Sequence, residues 1–332
     1  MSQDDDRARR ASASWRAARF EYAEADLSGV RTYPLASRPA KARLEHFAGP
    51  YRRGSGVAAL IDSLPSMLAG ADFRAIVDRL AAIRRDGGGI LWGLGAHVVK
   101  TGLGPVVIDL MERGYVSALA TNGAGVIHDY EIALSGATSE DVDATLGEGR
   151  FGMAAETGLG LNAIITAGVR DGLGIGEAIG ADLLRRGAPH AAHSIAAAAA
   201  RLAIPLTVHV GLGTDVIHMH PSASGAALGE GSLRDFRRFA ANVARLHGGA
   251  YLNCGSAVIL PEVFLKAVSL ARNRDVRLEG LMTVNLDFVR LYRPETNVVR
   301  RPTAGLGTGF SLVGHHELLI PLLAAALVER AD

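Results

Sequence analysis

Five polar clusters follow apolar runs or open helices in this chain, and each carries residue types that could do chemistry. His209-Val-Gly-Leu-Gly-Thr-Asp215-Val-Ile-His218-Met-His220 gathers three imidazoles and a carboxylate within 12 residues. Neutral imidazole and carboxylate are common zinc ligands, yet the spacing fits no closed metal motif, and Asp215 behind its glycines reads better as an anchor for a cationic group. Thr121-Asn-Gly-Ala-Gly125-Val-Ile-His128-Asp129-Tyr-Glu131 places His128 just past a glycine turn. An imidazole titrates near neutrality and suits general-base work. Asp129 is equally well placed to cap a following helix. Gly93-Leu-Gly95-Ala-His97-Val-Val-Lys100-Thr101-Gly102-Leu-Gly104 could offer backbone N–H groups to an anion, or could be a tight crossover packed on a sheet. It matches neither G-x-G-x-x-G nor the Walker pattern.

Asn253-Cys254-Gly255-Ser256 leads into Pro261-Glu262, and Gly314-His315-His316-Glu317 precedes the last helix. Ser256 has no nucleophile elbow around it, and Cys254 reads as buried filler. Glu317 complements a helix dipole, and the paired histidines are candidates for lining the same cleft.

Such clusters need elements to position them. Apolar runs Ile90–Leu94, Tyr115–Ala120, Pro205–Val210, Ala250–Asn253 and Leu278–Asn285 read as strands. Between and after them, helical spacing covers Leu103–Arg113, Ser139–Leu146, Glu156–Val169, Gly176–Arg186, Ala191–Ala203, Leu233–Leu246, Pro261–Ala271 and Glu317–Glu329. The alternation predicts an α/β fold, a doubly wound parallel sheet of at least five strands. Ligands of such sheets bind beyond the carboxyl ends of the strands. The informative loops are therefore Gly93–Gly104, Thr121–Asp129, Gly211–Pro221, Asn253–Leu260 and Asn285–Arg290. Upstream, residues 1–30 read as a tail or loose helix, Arg31–Gly56 with three prolines as an extended arm, and Val57–Arg85 as two helices interrupted near Pro65 or Gly70. Two domains are expected: the tail and arm over 1–55, and the α/β domain over 56–332.

Composition sets the outer limits. With 48% hydrophobic and 21% charged residues the 332-residue chain can bury a core, which excludes general disorder. Charges of 35 against 34 leave a net +1, giving no electrostatic reason for a nucleic-acid or membrane partner. The longest apolar run, Leu318–Val328, is too short to span a bilayer. The start, with Asp4, Asp5 and Asp6, does not read as a secretory signal, so a cytoplasmic protein is expected. One cysteine excludes a disulfide framework. Of 40 glycines, 21 fall between Gly87 and Gly180, where a site built from main chain is expected. The lysines are only three, Lys41, Lys100 and Lys266, and Lys100 in its glycine-rich loop is best read as a partner for an anionic ligand group.

The stretch Ala96–Leu134, AHVVKTGLGPVVIDLMERGYVSALATNGAGVIHDYEIAL, resembles the deoxyhypusine synthase family. The resemblance continues in order through Ile204–His220, Gly255–Leu265, Gly280–Asp287 and Pro321–Glu329. It implies a Rossmann-like NAD-binding domain with an N-terminal arm, a homotetramer with sites between subunits, and amine chemistry of the spermidine type. By position it places NAD against Gly95, His97, Thr101, Gly102, Thr121, Asn122, Gly123, Gly125, Gly255, Ser256, Asn285 and Asp287. Asp215 matches the family aspartate that holds the amine. Together with the residue readings this gives His128, Asp215 and Lys100 as the catalytic set, and Asp129, His218, His220, Glu262, His315 and His316 as substrate contacts.

Two departures redirect the expectation. The family's imine-forming lysine falls at Leu260, which cannot form an imine, and two adjacent acids are replaced by Ile127 and His128. The expected protein is thus a divergent NAD-dependent transferase or oxidoreductase on a polyamine-like or other amine-bearing small molecule, with no resident metal. The alternative is a metal-assisted hydrolase or lyase using His209, His218 and His220 with His128.

Overall fold

The structure, a computed structural model, describes Tyr22 and residues 24–330. Most of the expected tail lies outside the described residues, and 24–30 form no helix. The chain divides between Arg43 and Leu44. Residues 24–43 hold a single 3-10 turn, Leu35–Ser37, and leave Leu27, Val30, Tyr33 and Leu35 exposed. Beyond Leu44 the chain is tied down by backbone bonds. Gly49 N–H donates to Ser63 O at 2.9 Å, and Ser66 N–H donates to His46 O at 3.0 Å. Two helices follow as expected, α1 (Gly56–Ser63) and α2 (Leu68–Arg85), with the break around Pro65.

Six parallel strands form the sheet: β1 (Ile90–Leu94), β2 (Ala118–Asn122), β3 (Leu206–His209), β4 (Ala250–Cys254), β5 (Met282–Asp287) and β6 (Thr308–Val313). Their order is β3-β2-β1-β4-β5-β6, the order of dinucleotide-binding folds, in which the chain reverses direction across the sheet between β1 and β4. Side chains alternate between two cores, as the two-residue period of a strand requires. Trp92, Leu94 and Leu252 enter the larger one, while Leu91 and Tyr251 join Phe239, Leu260 and Phe264 on the other face. Both faces are covered, which is why β1, β2, β3, β4 and β5 read as short apolar runs.

The helices needed below are α3 (Ala96–Lys100), α4 (Gly104–Glu112), α5 (Gly123–Ser135), α6 (Ala155–Arg170), α7 (Ile175–Arg185), α8 (Ile195–Arg201), α9 (Gly225–Val243), α10 (Ile259–Asn273) and α11 (His316–Glu329). Three elements depart from the sequence reading. The expected loop Thr121–Gly125 is the end of β2 running straight into α5, because the Asn122 side chain accepts from Gly125 N–H and starts the helix. Helix α9 begins eight residues before Leu233, capped by Ser224 and masked in sequence by Gly225, Gly229 and Gly231. Edge strand β6 is half exposed and lacks an apolar run to announce it.

Candidate active site

A cavity of about 230 Å³ opens beyond the ends of β2 and β3, and Lys100, His128 and Asp215 all line it. They come from three separate segments, the end of α3, the second turn of α5 and the loop after β3. A larger cavity of about 620 Å³ flanks the start of β3, but its wall is mostly alanine and aliphatic, and its charged residues Glu177 and Arg238 pair with each other. The smaller cavity holds the chemistry.

Asp215 is 8% exposed and lies against the start of α5. A Cβ on Gly123 would sit 2.0 Å from Asp215 Oδ2, so only glycine lets the carboxylate approach the helix there. Burial pushes the Asp215 carboxyl up, and this outweighs the pull of His218, the Ala124 amide and the Thr214 hydroxyl. Its Oδ2 is buried without a hydrogen-bond partner. His218 Nδ1 accepts from Gly213 N–H and Asp215 N–H at 3.1 and 3.2 Å, which puts the proton on Nε2. That Nε2–H is also unpartnered and stands 3.9 Å from Asp215 Oδ2. Buried polar atoms are rarely left unpaired, and this donor and acceptor side by side suit a ligand with polar hydrogens and lone pairs.

His128 is the end of a relay. The Thr138 hydroxyl donates to Glu131 Oε2 at 2.6 Å and so must accept the bond it shares with His128 Nδ1 at 2.7 Å. A hydroxyl has one proton to give, so Nδ1 carries the imidazole proton and Nε2 keeps its lone pair. Glu131 is held from its other oxygen by the Thr157 hydroxyl at 3.0 Å. Burial lowers the His128 pKa, Glu131 raises it and Lys100 lowers it. At neutral pH His128 is an uncharged imidazole with a bare Nε2, the form a general base requires.

The other expected residues fall elsewhere. Asp129 does not reach the cavity: it is buried, and its carboxylate accepts from Ser194 Oγ at 2.5 Å, Ile195 N–H at 2.7 Å and Ala196 N–H at 3.0 Å, capping α8. Thr121 donates to Leu94 O, Thr101 donates to His97 O, and Asn122 and Gly125 bond each other, so these side chains and amides are taken up by the scaffold. Glu262 is on α10 among Lys266, Arg293 and Asn297.

The three histidines expected near one metal each have a partner of their own. His209 meets Thr207 Oγ1 at 3.2 Å, His218 accepts the two amides above, and His220 donates to Gly152 O at 3.0 Å. Among the described residues, the group of three metal-ligating side chains that does converge is His97, His316 and Glu317.

Over β1, β4, β5 and β6 a second polar surface appears. Gly95 packs so tightly on the loop after β4 that a Cβ would meet Gly255 O at 2.2 Å. Register aligns Asn253, Asn285 and Ser311 across three strands. Asn253 Nδ2 donates to Ser256 O at 2.9 Å and to Asn285 Oδ1 at 2.8 Å. Asp287 accepts from Phe288 N–H at 2.8 Å, Ser256 Oγ accepts from Leu260 N–H at 3.2 Å, Gly102 is exposed, and His315 lies exposed beside Phe288. Leu260, where the resemblance places a lysine, is fully buried between the sheet and α10.

Sequence reasoning missed Glu131, Thr138 and Thr157 as site residues. Glu131 was within reach, since it follows His128 by three positions on one helix and so shares its face. Thr157 arrives from α6, 26 residues downstream of Glu131, and no local pattern signals it.

Comparison with known proteins points the same way on fold. The family model for the C-terminal Rossmann fold of arginine dihydrolase ArgZ-like proteins matches residues 74–195, just over a third of the chain. No curated protein matches. Among solved structures, AgrE in a ternary complex with ornithine and NAD+ aligns at TM-score 0.51 and 19% identity, covering 78% of this chain and 33% of AgrE. A LOR/SDH protein of Methanococcus maripaludis S2 aligns at TM-score 0.50 and 18% identity, covering 78% and 69%. A deoxyhypusine synthase from Entamoeba histolytica aligns at TM-score 0.47 and 11% identity, covering 83% and 94%. The chain thus spans about a third of AgrE's length. These likenesses establish a Rossmann-type fold. Among the described residues no helix is long and apolar enough to cross a membrane.

Proposed function

We propose that this chain is a NAD-dependent enzyme acting on a small molecule that carries both an amine and a carboxylate. The observation that carries the reading is the convergence of Lys100, His128 and Asp215 on one cavity beyond the strand ends. The other carboxylates of its wall are already occupied, Glu131 by two threonine hydroxyls and Glu140 by Gly152 N–H. That leaves Asp215 as the free acceptor and Lys100 as the cation, one site for an ammonium and one for a carboxylate. The pairing favours a zwitterion over a polyamine, and ornithine in AgrE is a molecule of that class.

The strand order and the crevice between β1 and β4 fit a dinucleotide. So does the orphaned Asn253 Oδ1 buried there. The Gly95 and Gly255–Ser256 loops with Asn285 and Asp287 would hold it. When bound, a nicotinamide supplies hydride transfer. The chain's own part is to bind and deprotonate: Asp215 holds the ammonium, Lys100 the carboxylate, and His128 Nε2 takes the amine proton, since an amine must be neutral before its α-carbon can lose hydride. A homotetramer belongs to the same proposal, and light scattering that gave the 34.7 kDa chain mass at micromolar concentration would remove that part.

Calorimetry with NAD, followed by ornithine added to the NAD-saturated protein, tests the reading. Saturable binding of both is expected, with the ornithine heat lost in Asp215→Asn. Folded protein that takes up no NAD at millimolar concentration would overturn it.

A further inference from the structure

We propose that His97, His316 and Glu317 form a binding site for one divalent first-row transition ion, zinc or iron by ligand type. The two segments that supply it are far apart in sequence, the first turn of α3 after β1 and the first turn of α11 after β6. The fold brings one ligating atom from each residue to within 4.8 Å of the other two.

These atoms gather without bonding one another. His97 Nε2 and Glu317 Oε1 are 4.0 Å apart, beyond a hydrogen bond. The state of His316 is the independent sign of a missing ligand. Its ring is wholly buried, Nε2–H donates to Leu286 O at 3.1 Å, and Nδ1 is buried with no partner. A histidine that ligates a metal commonly donates its other ring N–H to a backbone carbonyl, which fixes the tautomer and orients the free lone pair. His316 is already in that state, and leaving the lone pair unmet carries the desolvation penalty of an unpaired acceptor. Glu317 adds negative charge, its carboxyl held below the usual range by its own backbone amide and then by His97, His315 and His316.

The distances suit an ion after a small closure. Ligands about 2.1 Å from a tetrahedral ion stand about 3.4 Å from each other. The observed gaps need His97 and Glu317 to swing inward by about an ångström. Both can, being 42% and 44% exposed, while His316 stays fixed by its carbonyl. Two imidazoles and a carboxylate favour zinc, iron or their neighbours over magnesium or calcium. Three protein ligands leave at least one position open for water or a small anionic ligand.

The proposal does not rest on the nicotinamide reading, since it uses neither Lys100, His128 nor Asp215. It reassigns His97 and His316 from nucleotide and substrate contacts to an ion, and it places the metal chemistry away from the His209, His218 and His220 loop. The test is titration of untagged, metal-stripped full-length protein with cobalt(II), followed by visible absorption and calorimetry. One equivalent is expected to bind with visible d–d bands, and His97→Ala and Glu317→Gln, both on exposed side chains, should each weaken binding at least tenfold. His316→Ala should abolish it. Folded wild type that binds no cobalt, or His97→Ala and Glu317→Gln variants that bind it as wild type does, would overturn the site. So would binding that survives in those variants but is lost in His218→Ala.

Discussion

The strand-end surface has two halves that treat their buried polar groups in opposite ways. Over β2 and β3 nearly every polar side chain is closed into an internal bond: Thr121 on Leu94, Asn122 on Gly125, Asp129 on three groups at the start of α8. One orphaned pair remains there, Asp215 Oδ2 and His218 Nε2, and it lies beside the cavity lined by Asp215. Over β4, β5 and α11 the orphans are spread out, with Thr283 Oγ1, Asn253 Oδ1 and His316 Nδ1 all buried and unmet, and Ser311 Oγ beside them on β6. Since native interiors seldom leave such atoms unpaired, the first half reads as a rigid frame around one small pocket. The second reads as a surface built to be completed by larger ligands.

The sharpest break of that contrast is between two aspartates. Asp129→Ala removes an acceptor from three buried donors and is expected to cost about 3–5 kcal/mol. A large drop in the urea midpoint should appear, with ligand affinity of the remaining folded protein unchanged. Asp215→Asn should do the reverse, leaving the midpoint close to wild type while abolishing amine binding. If Asp129→Ala instead kept its stability and lost ligand, the frame-and-pocket division would fail.

A smaller effect tests whether the relay behind His128 matters. Glu131→Gln removes the carboxylate that raises the His128 pKa against the effect of burial. The imidazole then becomes a weaker base, so the acidic limb of the pH–rate profile should move to lower pH. The rate should fall roughly tenfold, less than the 10²–10⁴ that a general base itself supplies. An unmoved limb would mean that Glu131 only packs.

How far the sequence could go follows from the same contrast. The sheet was legible because β1, β2, β3, β4 and β5 are buried on both faces and leave unbroken apolar runs, whereas β6 at the exposed edge leaves none. Lys100, His128 and Asp215 were legible because each sits in a loop or first helical turns after a strand, where ligand groups are expected. Asp129 shares that address and differs only in what it meets, the start of α8 some 65 residues away, which local pattern cannot show. The pairing of His97 with His316 and Glu317 was hidden for the same reason: proximity in sequence made a cluster of His209, His218 and His220, while the fold made a different one.

The smallest effect concerns His209, the first imidazole of that dispersed cluster. Burial against Phe239 and Thr207 drives its pKa from 6.5 down to about 3. The unfolded chain therefore binds a proton below pH 6.5 that the folded chain refuses until about pH 3, and His209 withdraws stability as pH falls through that window. Asp235 works against it. Its carboxylate, buried at the start of α7 and beside β3, is raised from 3.8 to about 6 by burial, so the folded chain takes up a proton first and gains stability between pH 6 and 3.8. Over that range the two contributions nearly cancel. His209→Gln, which keeps a donor for Thr207, should remove the losing member, and its stability should then rise relative to wild type by up to about 1.4 kcal/mol per pH unit on acidification from pH 6 to 4. Urea midpoints of both proteins across that range decide it. Parallel curves would mean that His209 is protonated in the folded state, as a solvent- or ligand-facing imidazole would be, and would return it to the functional half of the surface.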